Sequence, residues 1–194
     1  MEKRLLGITG RMASAVLLAF ALLFISACSS AAENTGANAS RENSGNSAAN
    51  TEAGEDGKIN VLTTIAQIAE PLSVIGGKRT NVQSLMGPGV DPHLYNATQS
   101  DILKLEGADV IFYNGLHLEA NMLKAFEEMG KNKPVIAVGE AIAQEKLLQD
   151  ETGAIDPHIW FDIDLWKEAL RAATEQLKEI APSDADYFEA NKNA

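Results

Sequence analysis

Cysteine and histidine are both scarce in this chain of 194 residues. There is one cysteine, Cys28, and there are three histidines. A single cysteine excludes a disulfide within the chain, and it also excludes a zinc site built from several thiolates. The chemistry of the chain therefore has to come from other side chains.

Positive charge is also in short supply. The chain carries 16 lysine and arginine residues against 27 aspartate and glutamate residues, which gives a formal net charge of −11. Such a chain repels the phosphates of nucleic acids, and no basic patch offsets this repulsion. A nucleic-acid partner is therefore not expected, whereas an acidic surface is compatible with the capture of cations.

Large apolar side chains are missing from residues 29–57, which contain no aromatic residue and no Val, Ile, Leu or Met. A segment of this composition cannot bury enough apolar surface to offset the entropy lost on ordering. Residues 28–57 are therefore predicted to form a disordered linker that follows the lipid anchor described next.

The N-terminus has the pattern of an export signal. Lys3 and Arg4 precede an uncharged stretch over residues 12–27, which is shorter than the roughly 20 residues that a membrane-spanning helix needs. The stretch ends in Ile25-Ser26-Ala27-Cys28, which resembles a bacterial lipobox. Residues 1–27 are therefore predicted to be a lipoprotein signal peptide, with Cys28 lipidated and the protein anchored to the membrane outside the cytoplasm.

From Lys58 onwards, apolar runs typical of buried strands alternate with segments of helical spacing. This alternation predicts an α/β fold, a parallel sheet flanked by helices, over residues 58–180. Trp160, Phe161 and Trp166 are predicted to pack in the core. The predicted strands cover residues 59–64, 82–86, 109–113 and 134–138, and the helices 65–75, 99–107, 119–129 and 163–180, with a further helix capped by Ser183 and Asp184.

The tripeptide Asp-Pro-His occurs twice, ending at His93 and at His158. Proline restricts both its own backbone and that of the preceding residue, so each imidazole is presented on a stiff loop. Imidazole is a common ligand of transition metals, so both histidines are candidate ligands, with Asp91 and Asp156 as possible hydrogen-bond partners. Two histidines do not complete a metal site. A lone histidine is more often a surface or core residue, although the repetition weakens that interpretation.

Three motifs occur in order, at residues 90–95, 113–119 and 156–162: Val-Asp-Pro-His-Leu-Tyr, Tyr-Asn-Gly-Leu-His-Leu-Glu and Asp-Pro-His-Ile-Trp-Phe-Asp. Together they resemble the manganese/zinc solute-binding lipoproteins of ABC transporters, the cluster A-I group that includes zinc-uptake component A. The resemblance runs from about Lys58 to the last residue.

The resemblance implies the N-terminal lobe of a two-lobed, periplasmic-binding-protein-like metal receptor, which is a monomer and serves a membrane permease. The first two ligands of the family carry over to His93 and His158. Two further ligands, His or Glu and then Asp, are expected beyond Ala194, because residues 181–194 match only the start of the helix between the lobes. His117 is not usually a ligand in similar proteins, so a supporting or structural role is expected for it.

The resemblance also bears on the transported ion. Zinc-specific relatives often carry a histidine-rich, acidic insertion just before the second Asp-Pro-His tripeptide, whereas residues 143–155 contain no histidine here. Mn²⁺ is therefore favoured as the ligand, with Zn²⁺ next. The alternatives are an adhesin or structural surface lipoprotein and a metallohydrolase; the chain lacks a His-Glu-x-x-His helix, and an enzyme is not expected.

Overall fold

The computed structural model describes residues 57–194. The predicted signal peptide, Cys28 and the linker up to residue 56 lie outside the described residues. Within the described part, no helix has both the length and the apolar character that crossing a membrane would require.

Within residues 57–194, four parallel strands form a single sheet: β1 (Ile59–Thr63), β2 (Thr80–Ser84), β3 (Val110–Tyr113) and β4 (Val135–Ala137). Their order across the sheet is β2-β1-β3-β4. Strand β1 pairs on both sides, so that Val61 lies opposite Val82 of β2 and opposite Val110 of β3. Because both faces of a parallel sheet are covered, its inner strands are mostly apolar and buried.

In the part of the chain that the structure describes, five α-helices flank the sheet, which confirms the predicted fold class. The first, fourth and fifth helices pack against one another, while the second contacts the third helix and β1. The helices are α1 (Ala66–Gly76), α2 (Gln99–Gly107), α3 (Leu123–Met129), α4 (Ile163–Ile180) and α5 (Ala185–Lys192).

The sequence of α4, the longest helix within residues 57–194, determines where the helix begins and which face it buries. Its N-cap residue, Asp162, accepts hydrogen bonds from the free backbone N–H groups of Asp164 and Leu165 at 2.9 and 3.1 Å. Buried residues then recur at helical spacing, at positions 166, 169, 173 and 177. The cap and this apolar stripe place the N-cap of α4 four residues after His158.

The predicted cap of the last helix is wrong. Ser183 and Asp184 lie in a 3₁₀ turn, Pro182–Asp184, and neither side chain caps α5. The carboxylate of Asp184 instead meets Arg79 at 3.1 Å. The helix is held by packing: Phe188 is fully buried.

Two further predictions need correction. The helix predicted from Glu119 starts only at Leu123, after a 3₁₀ turn, because the Glu119 side chain turns back to the loop that precedes it. Phe161 is not in the core but 83% exposed. The 3₁₀ turn Ile159–Phe161 buries Ile159 and leaves Phe161 in solvent, whereas Trp160 is half-buried and Trp166 is buried.

The predicted second strand was placed two residues too late, since β2 begins at Thr80 and ends at Ser84. Its pairing with β1 nevertheless continues past Ser84, because the backbone N–H of Leu85 donates to the carbonyl of Thr63 at 2.8 Å. The loop that carries the first Asp-Pro-His tripeptide therefore leaves directly from the carboxyl end of the sheet.

Candidate metal centre

The two repeated histidines meet beside the carboxyl ends of the strands. His93 lies in the connection from β2 to α2, and His158 lies in the connection from β4 to α4. Their Nε2 atoms are 3.3 Å apart and their ring centroids 5.2 Å apart. In open parallel sheets this edge is the usual place for a ligand site.

A cavity of about 380 Å³ lies beside the pair and is lined by both imidazoles, by Gln67 at the start of α1 and by the loop 86–92. His93 is exposed and His158 is half-buried, so both ring edges are accessible to an ion from solution.

Each Asp-Pro-His tripeptide folds into the same local turn. Asp91 Oδ1 accepts a hydrogen bond from the backbone N–H of His93 at 2.9 Å, and Asp156 Oδ1 accepts one from the backbone N–H of His158 at 3.0 Å. An aspartate that binds the N–H group two residues later forms an Asx turn, and the intervening proline stiffens it. The repeated sequence thus produces a repeated backbone shape.

The second tripeptide has one additional bond. Asp156 Oδ1 also contacts His158 Nδ1 at 2.6 Å. With Nδ1 donating to the carboxylate, the Nε2 lone pair of the neutral ring is free to bind an ion. The hydrogen bonds from the His158 backbone and then its ring lower the pKa of Asp156. The rings of Trp160 and His158 pack in a T-shaped arrangement, with centroids 5.2 Å apart.

The His93 loop is held by hydrogen bonds to Asp101 of α2. The Tyr95 hydroxyl donates to Asp101 Oδ2 at 2.7 Å, and Thr98 forms a capping box with the same aspartate. Burial raises the pKa of Asp101, but the hydrogen bonds from Thr98 and Tyr95 outweigh it and hold the pKa well below its usual range. Burial, and then the hydrogen bond to Asp101, raise the pKa of Tyr95 to about 12.

The His158 loop is fixed from β3. Asn114, the first residue after that strand, donates from Nδ2 to the carbonyl oxygen of Pro157 at 3.0 Å. Glu119 Oε1 accepts from the backbone N–H of Asn114 at 2.8 Å and from the Thr64 hydroxyl at 2.6 Å. Burial raises the pKa of Glu119, against the lowering effect of these hydrogen bonds. Asn114 and Glu119 lie in the motif at residues 113–119, but the sequence alone assigned no role to either.

The third histidine does not join the pair. His117 is exposed and follows Gly115 and Leu116 in a run of three residues with positive φ, at 79°, 53° and 66° in chain order. Within residues 57–194, its side chain has no hydrogen bond to His93 or His158. A supporting role for His117 stays a prediction.

Two histidines are all that the described chain brings together for an ion. Between residues 57 and 194, no group of three or more His, Cys, Asp or Glu side chains has the arrangement of a metal site. The assignment of His93 and His158 as ligands, and of Asp91 and Asp156 as their supports, therefore stays a prediction that this geometry makes specific.

The family model for zinc-uptake complex component A, a periplasmic protein, matches residues 61–194. The chain belongs to this family. Members are solute-binding proteins of metal ABC transporters, as the names of several relatives state.

Two curated relatives show how much of the chain matches known proteins of this kind. The manganese-binding lipoprotein MntA of Bacillus subtilis is 46% identical over 137 residues, which is 70% of this chain and 45% of that protein. The zinc-binding protein TroA of Treponema pallidum is 42% identical over 137 residues, which is 71% of this chain and 44% of that protein. The chain thus spans about half the length of the curated relatives it matches.

The solved structures agree with this membership. The structure of TroA from Treponema pallidum, titled a periplasmic zinc-binding protein, superimposes with a TM-score of 0.68 at 41% identity. The match covers 71% of this chain and 50% of that one. The fold of the metal-receptor family therefore extends over the described domain.

Proposed function

We propose that this protein is an extracytoplasmic lipoprotein that captures a divalent transition-metal ion and delivers it to the membrane permease of an ABC importer. It acts as a monomer held at the membrane by lipid on Cys28, and it makes or breaks no bond in its cargo. His93 and His158 are its first two ligands. The observation that carries this proposal is the 3.3 Å separation of their Nε2 atoms.

That separation has a simple geometric meaning. Zinc–nitrogen bonds are about 2.0–2.1 Å long and structural zinc is tetrahedral, so two imidazole nitrogens on one zinc ion lie about 3.3 Å apart. The two Nε2 atoms have this spacing in the described structure. An ion could therefore bind both rings with little movement of the loops, which is the preorganisation that tight binding requires.

The remaining ligands would come from outside the described residues. Structural zinc needs four ligands, and Mn²⁺ favours more oxygen ligands. Water molecules would supply them, or side chains from the part of a typical family member that this chain does not match. The Asp156 contact to His158 Nδ1 supports the site by holding the ring in the tautomer that presents Nε2.

Mn²⁺ is the ion we favour, followed by Zn²⁺. The relative with 46% identity is named for manganese and the relative with 42% identity for zinc. Residues 143–155, which precede the second tripeptide, hold no histidine that could add nitrogen ligands. Because most sites bind Zn²⁺ more tightly than Mn²⁺, selection for Mn²⁺ would depend on oxygen ligands and on metal supply.

The test is an equilibrium titration of the full chain, purified in detergent, with Mn²⁺ and with Zn²⁺ separately. The same titrations are made on the double variant His93→Ala/His158→Ala. His117→Asn is the comparison variant, because it removes the one histidine that is not predicted to be a ligand, while asparagine tolerates the left-handed backbone at that position.

Saturable one-to-one binding in the wild type and in His117→Asn, with loss in the double variant, is the expected result. Higher occupancy by Mn²⁺ than by Zn²⁺, obtained from the two dissociation constants and the cellular concentrations of the free ions, would support the manganese assignment. Undiminished binding in the double variant would contradict the ligand assignment, and absence of binding in the wild type would contradict capture by this chain.

A further inference from the structure

We propose that Asn114 is a positioning residue for His158, which sets the separation of the two Nε2 atoms by fixing the carbonyl group of Pro157. Its side chain donates from Nδ2 to that carbonyl at 3.0 Å. Its effect on metal affinity rests on the metal-binding function proposed above.

Asn114 is itself held on both sides of its backbone. Its N–H donates to Glu119 Oε1 at 2.8 Å, and its carbonyl oxygen accepts from the N–H of Gly139 at 2.8 Å. A Cβ atom on Gly139 would lie 2.7 Å from that carbonyl oxygen, so the close approach requires glycine. Asn114 is fully buried, and its amide is therefore a fixed point at the end of β3.

The Asn114 amide binds the residue directly before the proposed ligand His158. The Pro157 carbonyl belongs to the peptide group that joins Pro157 to His158, and it also accepts from the N–H of Ile159 at 2.9 Å. Restraining this peptide group restrains the position of the His158 Cα atom. Without the Asn114 contact, the tripeptide loses its hydrogen bond to the end of β3 and keeps the bond from the Asp156 N–H to the Leu148 carbonyl at 2.8 Å. The 3.3 Å spacing then loses the restraint that acts directly before His158.

The contact can be removed without creating a new unsatisfied side chain. Within residues 57–194, Asn114 Oδ1 is buried without a hydrogen-bond partner. Replacing Asn114 with leucine, which has a similar size, removes this unpaired oxygen together with the two donated bonds to Pro157 and Gly115. Because an unpaired buried oxygen is itself costly, its removal offsets part of the lost hydrogen bonding.

The experiment compares Asn114→Leu with Asn191→Leu in the full chain in detergent. Asn191 Nδ2 also donates to a backbone carbonyl, that of Ile75 at 2.9 Å, but it lies on α5 and joins that helix to α1. Three quantities are measured for each variant: Zn²⁺ affinity, the midpoint of thermal unfolding, and the imidazole NMR signals of His158 in the metal-free protein.

Asn114→Leu is expected to weaken Zn²⁺ binding by about 10-fold to 100-fold, the loss typical when a group supporting a ligand is removed. The His158 signals are expected to shift in the metal-free protein. Asn191→Leu is expected to lower the unfolding midpoint without changing either the affinity or the His158 signals. A purely structural role for Asn114 would make the two variants alike.

The outcomes separate this proposal from the one on which it rests. If the wild type binds Zn²⁺ and Asn114→Leu binds it equally well, the positioning role is overturned while metal capture stands. If the wild type binds no Zn²⁺, metal capture fails, and the metal-free signals decide: unchanged His158 signals in Asn114→Leu overturn the positioning role, and shifted signals support it.

Discussion

The two Asp-Pro-His loops have the same sequence and the same turn, yet they differ in how their histidines are held. Both aspartates accept the backbone N–H of the histidine two residues later. Only Asp156 also contacts the ring, at His158 Nδ1. His158 is thus fixed in position and tautomer, whereas His93 is fixed in backbone alone and stays exposed.

The supports behind the loops differ as well. The His93 loop is tied to the start of α2 through Tyr95 and Asp101, while the His158 loop is tied to the end of β3 through Asn114. A short repeated motif therefore encodes the turn, and its surroundings determine how rigidly the side chain is presented. This contrast suggests that the His158 ring is held in place before the ion binds, whereas the His93 ring can rotate on a fixed backbone as the ion binds.

The largest expected effect comes from removing the two aspartates one at a time. Asp156→Ala should weaken Zn²⁺ binding by about 10-fold to 100-fold, since it removes the group that fixes the ligand tautomer. Asp91→Ala should weaken binding less, because Asp91 contacts only backbone. Titration of both variants against the wild type measures the difference, and equal losses would show that the two loops are equivalent.

A smaller effect is expected from the support behind the His93 loop. Asp101→Ala leaves the donors of Thr98 and Tyr95 without their buried acceptor and should lower the free energy of unfolding by about 2 kcal/mol. Tyr95→Phe removes one donor and should cost about 1 kcal/mol. Urea denaturation measures both values, and a Tyr95→Phe loss as large as that of Asp101→Ala would contradict this hierarchy.

The same aspartate predicts an acid dependence. The pKa of Asp101 is lower in the folded protein than the value of about 3.9 in an unfolded chain. Its ionised form therefore stabilises the fold above that value, and the contribution is lost as the pH falls below about 4 toward the folded pKa. Unfolding free energies of Asp101→Asn should fall less steeply with acid than those of the wild type.

A neighbouring carboxylate provides the control for that measurement. Glu106 lies exposed on the same helix, so Glu106→Gln should retain the steep wild-type dependence. If Asp101→Asn and the wild type lose stability in parallel below about pH 4, the acid dependence comes from groups other than Asp101.

The smallest effect on stability is expected from exposed apolar residues near His93 and His158. Leu94 is 73% exposed and Phe161 is 83% exposed. Replacing either with alanine should change the free energy of unfolding by no more than about 0.5 kcal/mol, because little buried surface is lost. Thermal denaturation checks this, and a loss above about 2 kcal/mol for Phe161→Ala would indicate that this ring packs in the folded protein after all.

Much of the fold could be predicted because its signals are local. Apolar runs alternating with helical spacing indicate a parallel sheet, and the loops after its strands are where ligands bind. The repeated tripeptide therefore indicates a histidine pair from the sequence alone. The capping pattern at Ser183 and Asp184 was misleading, because Arg79, far away in the chain, binds the Asp184 carboxylate instead.

The rest depends on contacts that no local pattern reports. Asn114 and Pro157 are 43 positions apart, and Thr64 and Glu119 are 55 positions apart. Identical tripeptides also cannot show that only one aspartate reaches the ring of its histidine. Phe161 looked like a core residue because it is large and apolar, but its exposure depends on the 3₁₀ turn that precedes α4.

The most direct test of the central claim is a crystal structure of the Zn²⁺-loaded chain with diffraction data collected at the zinc absorption edge. A single anomalous peak between the loops, about 2.0–2.1 Å from Nε2 of both His93 and His158, is the predicted result. A peak bonded to neither or to only one of these nitrogens would contradict the claim that the two repeated loops bind one ion together.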